Sequence, residues 1–309
     1  MKFRTEIFVP ASDFKITHDW KIAMMGSCFA ENMASKFLNA GFSIDVNPFG
    51  IAYNPLSLSQ NLNRLLDNKP FVAEELFMDN DLYHSFSHHS RFSGSAPNEV
   101  LAKINSGMER SWAFLRTADL LIITFGTAFV YRLQSTGRVV ANCHKLPARF
   151  FTCNRLTIEN IVVEWNDLIA RLQALNPSLR ILFTVSPIRH WKDGAHENQL
   201  SKSILLLSVE ELLRNYPHCS YFPAYELVLD DLRDYRFYTE DMLHPSSQAI
   251  DYVWGKFAEA WFDGETLKKA REFEKLHQSL NHAPFQPESE AYRQFREKAE
   301  TRLKDLTNS

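Results

Sequence analysis

Short aliphatic and β-branched segments alternate with amphipathic segments along this chain of 309 residues, and this alternation limits the possible folds more than any other feature. Apolar runs of this kind are typical of buried parallel strands, and amphipathic stretches between them are typical of helices that cross over the sheet. The candidate strands are KIAMMG (21–26), FSIDV (42–46), DLLIITFG (119–126), RILFTVSP (180–187) and SYFPAYE (220–226). The sequence therefore predicts an α/β protein of three layers, α/β/α, with a five-stranded, mainly parallel sheet.

The amphipathic segments predict the helices of this fold. Phe29, Met33 and Phe37 recur every four residues, and Gly41 follows them as a residue that tolerates the left-handed backbone conformation after a helix. Further helices are predicted at about 56–66, 98–116, 156–175, 200–216 and 246–262. The helices at 156–175 and 200–216 both precede candidate strands, as a parallel sheet requires.

Two connections are longer than a simple crossover. Residues 47–118 and 132–155 are predicted insertions, the second with a hairpin that turns at residues 135–137. We expect residues 1–263 to form one domain that carries both insertions. Residues 264–309 are charged and helical in pattern, and they are predicted to be a helical C-terminal appendage interrupted at Pro284 and Pro287.

Composition and charge argue against several kinds of partner. The formal net charge of -3 provides no broad basic surface, so neither nucleic acid nor an anionic membrane is expected as a partner. The longest apolar stretch, 120–131, is shorter than the roughly 18 residues of a spanning helix, and the N-terminal segment lacks the unbroken apolar region of a signal peptide. The sequence predicts a cytoplasmic protein that acts on a small molecule, and it leaves the oligomeric state open.

Neither a metal nor another cofactor is predicted. The four cysteines, Cys28, Cys143, Cys153 and Cys219, show no C-x-x-C pairing and no tight Cys/His spacing. The histidines at 84, 88 and 89 resemble a metal cluster, but no carboxylates stand at ligand spacing around them, so a solvated loop is expected instead.

Ser27 is the first candidate catalytic residue, because it directly follows the first predicted strand and opens a predicted helix. Ligands bind at such junctions in doubly wound sheets, and the backbone N–H groups of a helix N-terminus can stabilise an oxyanion. The alternative is that Ser27 only caps the helix, which is the commoner role of a serine at this position. Cys28 is a second possible nucleophile, but adjacent residues that enter a helix point about 100° apart, so only one of the two can face a common base.

Asp241 and His244 form the second candidate, in the turn before the last predicted helix of the sheet region. Residues at i and i+3 of a tight turn can lie on the same side, so Asp241 can orient one imidazole nitrogen while the other acts as a base. The alternative is an exposed loop in which Asp241 is a turn residue, since D-x-x-H alone is a weak signal.

Four other polar residues are candidate substrate-binding groups. Arg189 and His190 follow the fourth predicted strand, on the edge where a substrate would lie, although pairing of Arg189 with Asp193 and a loop-capping role for His190 are equally consistent. Asn142 and His144 are of types that hydrogen-bond to a sugar or carboxylate, and solvation of a loop explains them equally well.

A serine after the first strand, with Asp and His before the last helix, is similar to the chain order of the SGNH, or GDSL-like, hydrolases. The segment Gly26-Ser27-Cys28-Phe29-Ala30 also resembles the signature of the GSCFA family letter for letter. The likeness covers roughly residues 1–260 and continues through NPFGIAYNP, TFGTAFVY, ANCHK, SPIRH, HENQLSK and LRDYRFYTEDMLHP. It implies a flavodoxin-like SGNH fold.

This resemblance implies that Ser27 is a nucleophile, His244 its general base and acid, and Asp241 the residue that fixes the imidazole. It also implies an oxyanion hole made by the N–H groups of Ser27 and Gly50. The wider SGNH pattern has an asparagine after the third strand, where this chain has Gly126-Thr127-Ala128. Thr127 is the expected third donor, with Asn142 as an alternative.

The function expected from the resemblance is a serine-dependent ester hydrolase that forms an acyl-enzyme and deacylates a carbohydrate or another small O-acyl substrate. One alternative is an acyltransferase with the same triad, in which a bound hydroxyl replaces water. Another is a non-catalytic module on an SGNH fold that binds a carbohydrate or another ligand, in which Ser27 is only a helix cap.

Overall fold

The computed structural model describes residues 4–281 and 289–308. Its strands, numbered in chain order, are β1 (Lys21–Gly26), β2 (Ser43–Val46), β3 (Leu76–Asp79), β4 (Leu82–Ser85), β5 (Leu120–Phe125), β6 (Phe129–Leu133), β7 (Val139–Val140), β8 (Phe151–Arg155), β9 (Arg180–Val185) and β10 (Cys219–Phe222). Its α-helices are α1 (Cys28–Asn39), α2 (Pro55–Leu66), α3 (Pro97–Leu115), α4 (Ile158–Leu175), α5 (Ala195–Asn215), α6 (Ala224–Glu226), α7 (Ser247–Trp261), α8 (Gly264–Asn281) and α9 (Glu290–Asn308).

The central sheet has five parallel strands in the order β10-β9-β5-β1-β2. Counted along the chain as sheet strands alone, this is the order 2-1-3-4-5 of flavodoxin-like doubly wound folds. The strand order reverses between β1 and β5, and in doubly wound sheets such a reversal places a crevice at the carboxyl ends of the two strands. The predicted fold class, a three-layer α/β/α protein, is confirmed.

Side chains alternate between the two faces of the sheet and build one core on each. On one face Met25, Ile123 and Phe183 pack with apolar residues of α2, α3, α4 and α5. On the other face Met24 and Ile122 pack with α1 and α7. The three inner strands, β1, β5 and β9, are buried on both sides, which is why they appear in the sequence as continuous apolar runs.

Two element boundaries differ from the prediction. The last strand ends at Phe222, four residues early, because Pro223 has no N–H for the ladder and residues 224–226 turn into a helix. Helix α5 begins at Ala195, about five residues before the predicted start. Its first turns bury polar residues, so the apolar pattern starts only later in the helix.

Both insertions form structure of their own. The segment 47–118 contains α2, the β3–β4 hairpin and α3. The segment 132–155 completes a small antiparallel sheet of order β7-β6-β8, and its predicted hairpin turn contains Gly137 at φ +70°. We refer to these two insertions together as the accessory layer.

The C-terminal region is helical on both sides of the residues left undescribed. Phe273 of α8 is buried and lies against Gly41 and the His18 ring, so this helix packs on the end of α1. The predicted interruption at Pro284 and Pro287 lies outside the described residues. Over the ranges 4–281 and 289–308, no helix combines the length and apolar character needed to cross a membrane.

Candidate active site

Ser27 lies at the junction of β1 and α1, at the carboxyl edge of the sheet. It is the N-cap of α1, and its hydroxyl oxygen accepts the Phe29 N–H at 3.3 Å. The residue is 1% exposed, so a substrate must approach through the crevice at the strand ends. Within the described residues, no hydrogen bond joins the Ser27 hydroxyl to His244.

The turn before Ser27 depends on Gly26. Its φ of +151° disfavours a side chain, and an added Cβ would lie 2.5 Å from the Thr124 carbonyl oxygen on β5. The Gly26 N–H donates to Asn47 Oδ1 at 2.9 Å, and Asn47 in turn donates to Glu31 on α1 at 3.3 Å. The loop after β2 therefore holds the Ser27 turn in place.

Asp241 and His244 are in direct contact. His244 Nδ1 lies 2.5 Å from Asp241 Oδ2, while Asp241 Oδ1 accepts the N–H groups of Leu243 and His244 and the Thr239 hydroxyl at 2.7 to 3.0 Å. The bonds from these two backbone N–H groups, followed by those from the His244 ring and Thr239, hold the pKa of Asp241 well below its usual range. An ionised carboxylate that fixes Nδ1–H leaves Nε2 of His244 free to accept a proton, as a general base must.

Arg189 supports the loop that carries this pair. Its guanidinium donates to the Met242 carbonyl and lies 4.9 to 5.4 Å from the ring centres of Trp191, Tyr235 and Tyr238. Met242 has a φ of +60°, an uncommon conformation for a residue with a side chain. The suggested pairing of Arg189 with Asp193 does not form, because the guanidinium is enclosed by these aromatic rings and the 241–244 loop. Three aromatic rings thus surround this arginine.

His190 lies at the carboxyl end of β9 with its ring turned inward. Its backbone N–H donates to Asn198 Oδ1 at 2.9 Å, and its ring meets the Tyr53 ring edge-on at 5.6 Å. Burial is the main reason that its pKa falls to about 4, and the nearby Lys202 and His244 add to the effect. His190 is therefore neutral at pH 7 and close to His244.

Lys202 is a site residue that the sequence analysis missed. It is fully buried on α5, and its amino group donates to the carbonyl oxygens of Gly126 and Ser186, both at 2.6 Å. These carbonyls follow β5 and β9, so the hydrogen bonds of Lys202 link the carboxyl ends of the two strands. The segment HENQLSK carried a signal for this residue. Asn198, Ser201 and Lys202 lie on the same face of α5 as the apolar residues that follow, which indicates buried polar side chains.

The predicted oxyanion donors other than Ser27 are already bonded in this conformation. The Gly50 N–H donates to the Asn47 carbonyl at 2.7 Å. The Thr127 N–H donates to the Tyr53 carbonyl at 2.9 Å, and its hydroxyl bonds to Ser201 at 3.1 Å. Both N–H groups are therefore occupied, while either hydroxyl can be the donor in the Thr127–Ser201 bond.

Asn142 and His144 lie in the accessory layer. Asn142 Oδ1 accepts the His144 N–H at 2.8 Å, which fixes a local turn. The His144 ring is buried, with Nε2 2.8 Å from the Ser85 carbonyl oxygen and Nδ1 3.3 Å from the Ser90 hydroxyl. The side chains of both residues are therefore engaged in holding the accessory layer together.

His84, His88 and Cys28 are each held within the fold by hydrogen bonds or by burial. His84 bonds to the Ser93 hydroxyl, and His88 is buried among phenylalanine rings. Among the residues in the described ranges, no three His, Cys, Asp or Glu side chains are grouped so as to hold a metal ion. Burial raises the pKa of the Cys28 thiol, which disfavours the thiolate that a cysteine nucleophile needs.

Comparison with known sequences identifies the family of this chain. Residues 21–257 match the GSCFA family, and residues 273–309 match the family described as GSCFA domain protein, C-terminal domain. The chain belongs to the GSCFA family. The resemblance predicted from the Gly26–Ala30 signature is thereby confirmed. The signature residues form the end of β1, the turn at Ser27 and the first residues of α1. No curated protein matches this GSCFA chain in sequence.

Several solved structures are similar to the GSCFA chain at low sequence identity. A family 3 carbohydrate esterase of Clostridium thermocellum has 9% identity and a TM-score of 0.39, over 82% of this chain and 97% of its own. A family 3 carbohydrate esterase of Talaromyces cellulolyticus has 8% identity and a TM-score of 0.36, over 82% and 99%. A family 2 carbohydrate esterase of Corynascus thermopiles has 12% identity and a TM-score of 0.39, over 85% and 69%.

Proposed function

We propose that this GSCFA protein is a serine-dependent ester hydrolase in which Ser27, His244 and Asp241 act as a triad. The observation that carries the proposal is the 2.5 Å contact between His244 Nδ1 and Asp241 Oδ2, on a carboxylate whose other oxygen is already held by backbone N–H groups. In a serine-hydrolase triad, such a pair orients the imidazole as a base. Ser27 lies at the same edge of the sheet, where β1 ends.

The reaction begins when the Ser27 hydroxyl oxygen forms a bond to the ester carbonyl carbon and gives its proton to His244 Nε2. The electron pair of the carbonyl π bond moves onto the oxygen, and the Ser27 N–H at the N-terminus of α1 stabilises the resulting charge. When the tetrahedral intermediate collapses, the alcohol leaves with the proton from His244. Water then attacks the acyl-enzyme by the same steps, and the acid is released.

No hydrogen bond joins Ser27 and His244 in this conformation, and catalytic hydrogen bonds often shorten only when substrate binds. The His244 side chain is 45% exposed, so its ring has room to turn toward the crevice. The Ser27 oxygen accepts from Phe29 N–H and so keeps its own proton available for transfer.

The proposed substrate class is a small O-acyl ester, with an acetylated carbohydrate as the first to test. An open, mainly apolar groove borders the Asp241 side of the loop, where Trp191 and Tyr235 are 50% and 62% exposed. Exposed aromatic rings with a few polar groups suit a sugar or a short acyl chain. This groove lies next to the proposed triad residue Asp241.

The test is active-site titration with a fluorophosphonate probe, together with hydrolysis of p-nitrophenyl acetate. Wild-type protein should be labelled on Ser27 and turn over the ester, and Ser27→Ala should do neither. Thr157→Ala is the matched control, because Thr157 caps α4 as Ser27 caps α1 and its loss has a similar effect on stability, about 1 kcal/mol. Well-folded wild-type protein that is neither labelled nor active would refute the proposal and favour a binding module.

A further inference from the structure

One imidazole nitrogen of His190, at the carboxyl end of β9, has no hydrogen-bond partner among the described residues. This atom, Nε2, is buried. A methyl group added at Gly126 would lie 3.4 Å from this atom, so Nε2 points over the backbone where β5 ends. Buried polar atoms in native proteins nearly always have a partner, and an orphaned one at a site calls for a functional explanation.

The ring is fixed in this direction from two sides. Asn198 of α5 accepts the His190 backbone N–H, and the Tyr53 ring packs edge-on against the imidazole. The carbonyl of Tyr53 also accepts the N–H groups of Gly126 and Thr127. Tyr53 therefore ties His190 to the loop after β5, and a preorganised donor is what stabilisation of developing charge requires.

The other oxyanion donors predicted from the sequence are already engaged in hydrogen bonds. The N–H groups of Gly50, Gly126 and Thr127 all donate to backbone carbonyls, and the Thr127 hydroxyl bonds to Ser201. Among these backbone N–H groups and that of Ser27, only the Ser27 N–H has no acceptor within the described residues. An oxyanion in a buried site is commonly held by two or more donors.

We propose that His190 is an oxyanion donor, with its Nε2–H pointing at the charged oxygen of the tetrahedral intermediate formed on Ser27. The proposal rests on the proposed ester-hydrolase function. His190 gives no proton away: the serine proton goes to His244, and the carbonyl electron pair on oxygen accepts a hydrogen bond from the imidazole. A neutral imidazole can polarise a carbonyl in this way, and burial keeps His190 neutral at pH 7.

A base role is less suited to His190. It has no carboxylate partner among the described contacts, whereas His244 has Asp241. The charged or titratable groups that influence it are Lys202 and His244, both of which disfavour its protonated form. A residue that stays neutral through the reaction fits a hydrogen-bond donor.

The experiment compares His190→Gln, His190→Asn and His190→Leu in p-nitrophenyl acetate turnover and in fluorophosphonate labelling of Ser27. The glutamine amide nitrogen reaches about as far as the imidazole Nε2, while the asparagine amide stops one bond short. We expect His190→Leu and His190→Asn to lower kcat by about 10²- to 10³-fold with KM little changed. His190→Gln should keep at least ten times the kcat of His190→Asn, with the acid limb of the pH profile in place.

His218→Leu is the matched control, because His218 also has a buried Nε2 without a partner but lies before β10, at the opposite edge of the sheet. It should keep wild-type kcat. Suppose that the wild type is active and labelled on Ser27, but that His190→Gln and His190→Asn have equal kcat. This result would overturn the role of His190 and leave the hydrolase proposal standing. Loss of the acid limb in His190→Gln also overturns it, since His190 would then be a base. A wild type without labelling or turnover refutes both proposals.

Discussion

The amino group of Lys202 lies 2.6 Å from the carbonyl oxygen of Gly126 and is completely shielded from solvent. A second bond of the same length reaches the Ser186 carbonyl, so one side chain joins the ends of β5 and β9. A buried carbonyl without a partner costs about 1–3 kcal/mol. Lys202 thus stabilises the edge of the sheet on which the candidate active site is built.

Replacement of Lys202 by methionine should lower the free energy of unfolding by about 2–5 kcal/mol at pH 7, because two buried carbonyl oxygens lose their donor while the side-chain volume is nearly kept. Urea denaturation measures the change. Lys103→Met is the control, since Lys103 also donates to a carbonyl, that of Arg91, but at an exposed position. The control should change stability by less than about 0.5 kcal/mol. Equal effects of the two variants would contradict the role of Lys202.

Lys202 should also make stability depend on pH in the alkaline range. Burial lowers its pKa to about 7 in the folded protein, whereas an unfolded lysine titrates near 10.4. Between these values the unfolded chain binds a proton that the native state does not, so the free energy of unfolding rises with pH. A neutral amine still has two N–H groups for its two carbonyls.

The measurement is the difference in unfolding free energy between wild type and Lys202→Met at pH 7 and pH 9, obtained in urea. This difference should be larger at pH 9. A difference that is constant or smaller at pH 9 would show that Lys202 stays charged in the fold.

The sequence was sufficient to predict the sheet and the local turns of the site. Strands such as β5 are buried on both faces, so their apolar character is continuous and visible in one chain. Ser27 depends on its place between one strand and one helix, and Asp241 and His244 lie three residues apart. Features set by neighbours in sequence can be recognised without knowing how the chain folds.

The parts that could not be predicted depend on elements brought together from distant positions. Lys202 bonds to Gly126 across 76 residues, and a single lysine in a helix pattern gives no sign of that partner. Arg189 was expected near substrate, but its place depends on aromatic residues and on the Met242 carbonyl more than 40 residues away. The Gly50 N–H is already bonded to the Asn47 carbonyl because of a turn conformation that composition does not reveal.

Asp241→Asn should lower kcat for ester hydrolysis by about 10⁴-fold at neutral pH, because an amide cannot hold the Nδ1–H tautomer of His244 as a carboxylate does. The variant should remain folded, since both groups are about half exposed. Asp234→Asn is a control, because Asp234 is a nearby carboxylate that caps a short helical turn and pairs with Arg236. An Asp241→Asn enzyme with more than a tenth of wild-type kcat would exclude Asp241 from the triad.

Arg189→Lys should lower kcat by about 10- to 100-fold while the melting temperature changes little. Lysine keeps the charge but lacks the planar guanidinium that stacks on Trp191, Tyr235 and Tyr238. The Met242 carbonyl then loses its support, and a displacement of about 1 Å at His244 is enough for such a loss. Arg149→Lys, which alters an exposed contact with Phe150, should leave kcat unchanged. If both variants keep full activity, the loop does not depend on Arg189.

Two glycine-to-alanine changes should have opposite effects on stability. Gly26→Ala places a Cβ 2.5 Å from the Thr124 carbonyl oxygen in a backbone conformation of φ +151°, so strain and overpacking should together lower the free energy of unfolding by at least about 2 kcal/mol. Gly255 lies within α7 with no atom within 4 Å of an added Cβ. Gly255→Ala should therefore raise the free energy of unfolding by about 0.5–1 kcal/mol through helix propensity.

Urea denaturation of both glycine variants and wild type at one pH gives the comparison, and ester turnover by Gly26→Ala adds a second readout. Because Ser27 follows Gly26 directly, any shift that relieves the clash with β5 also moves the proposed nucleophile, Ser27. Turnover should therefore fall in Gly26→Ala even in the fraction that remains folded, and Gly255→Ala should keep wild-type turnover. A Gly26→Ala variant as stable as wild type would mean that the β1 turn does not require a glycine.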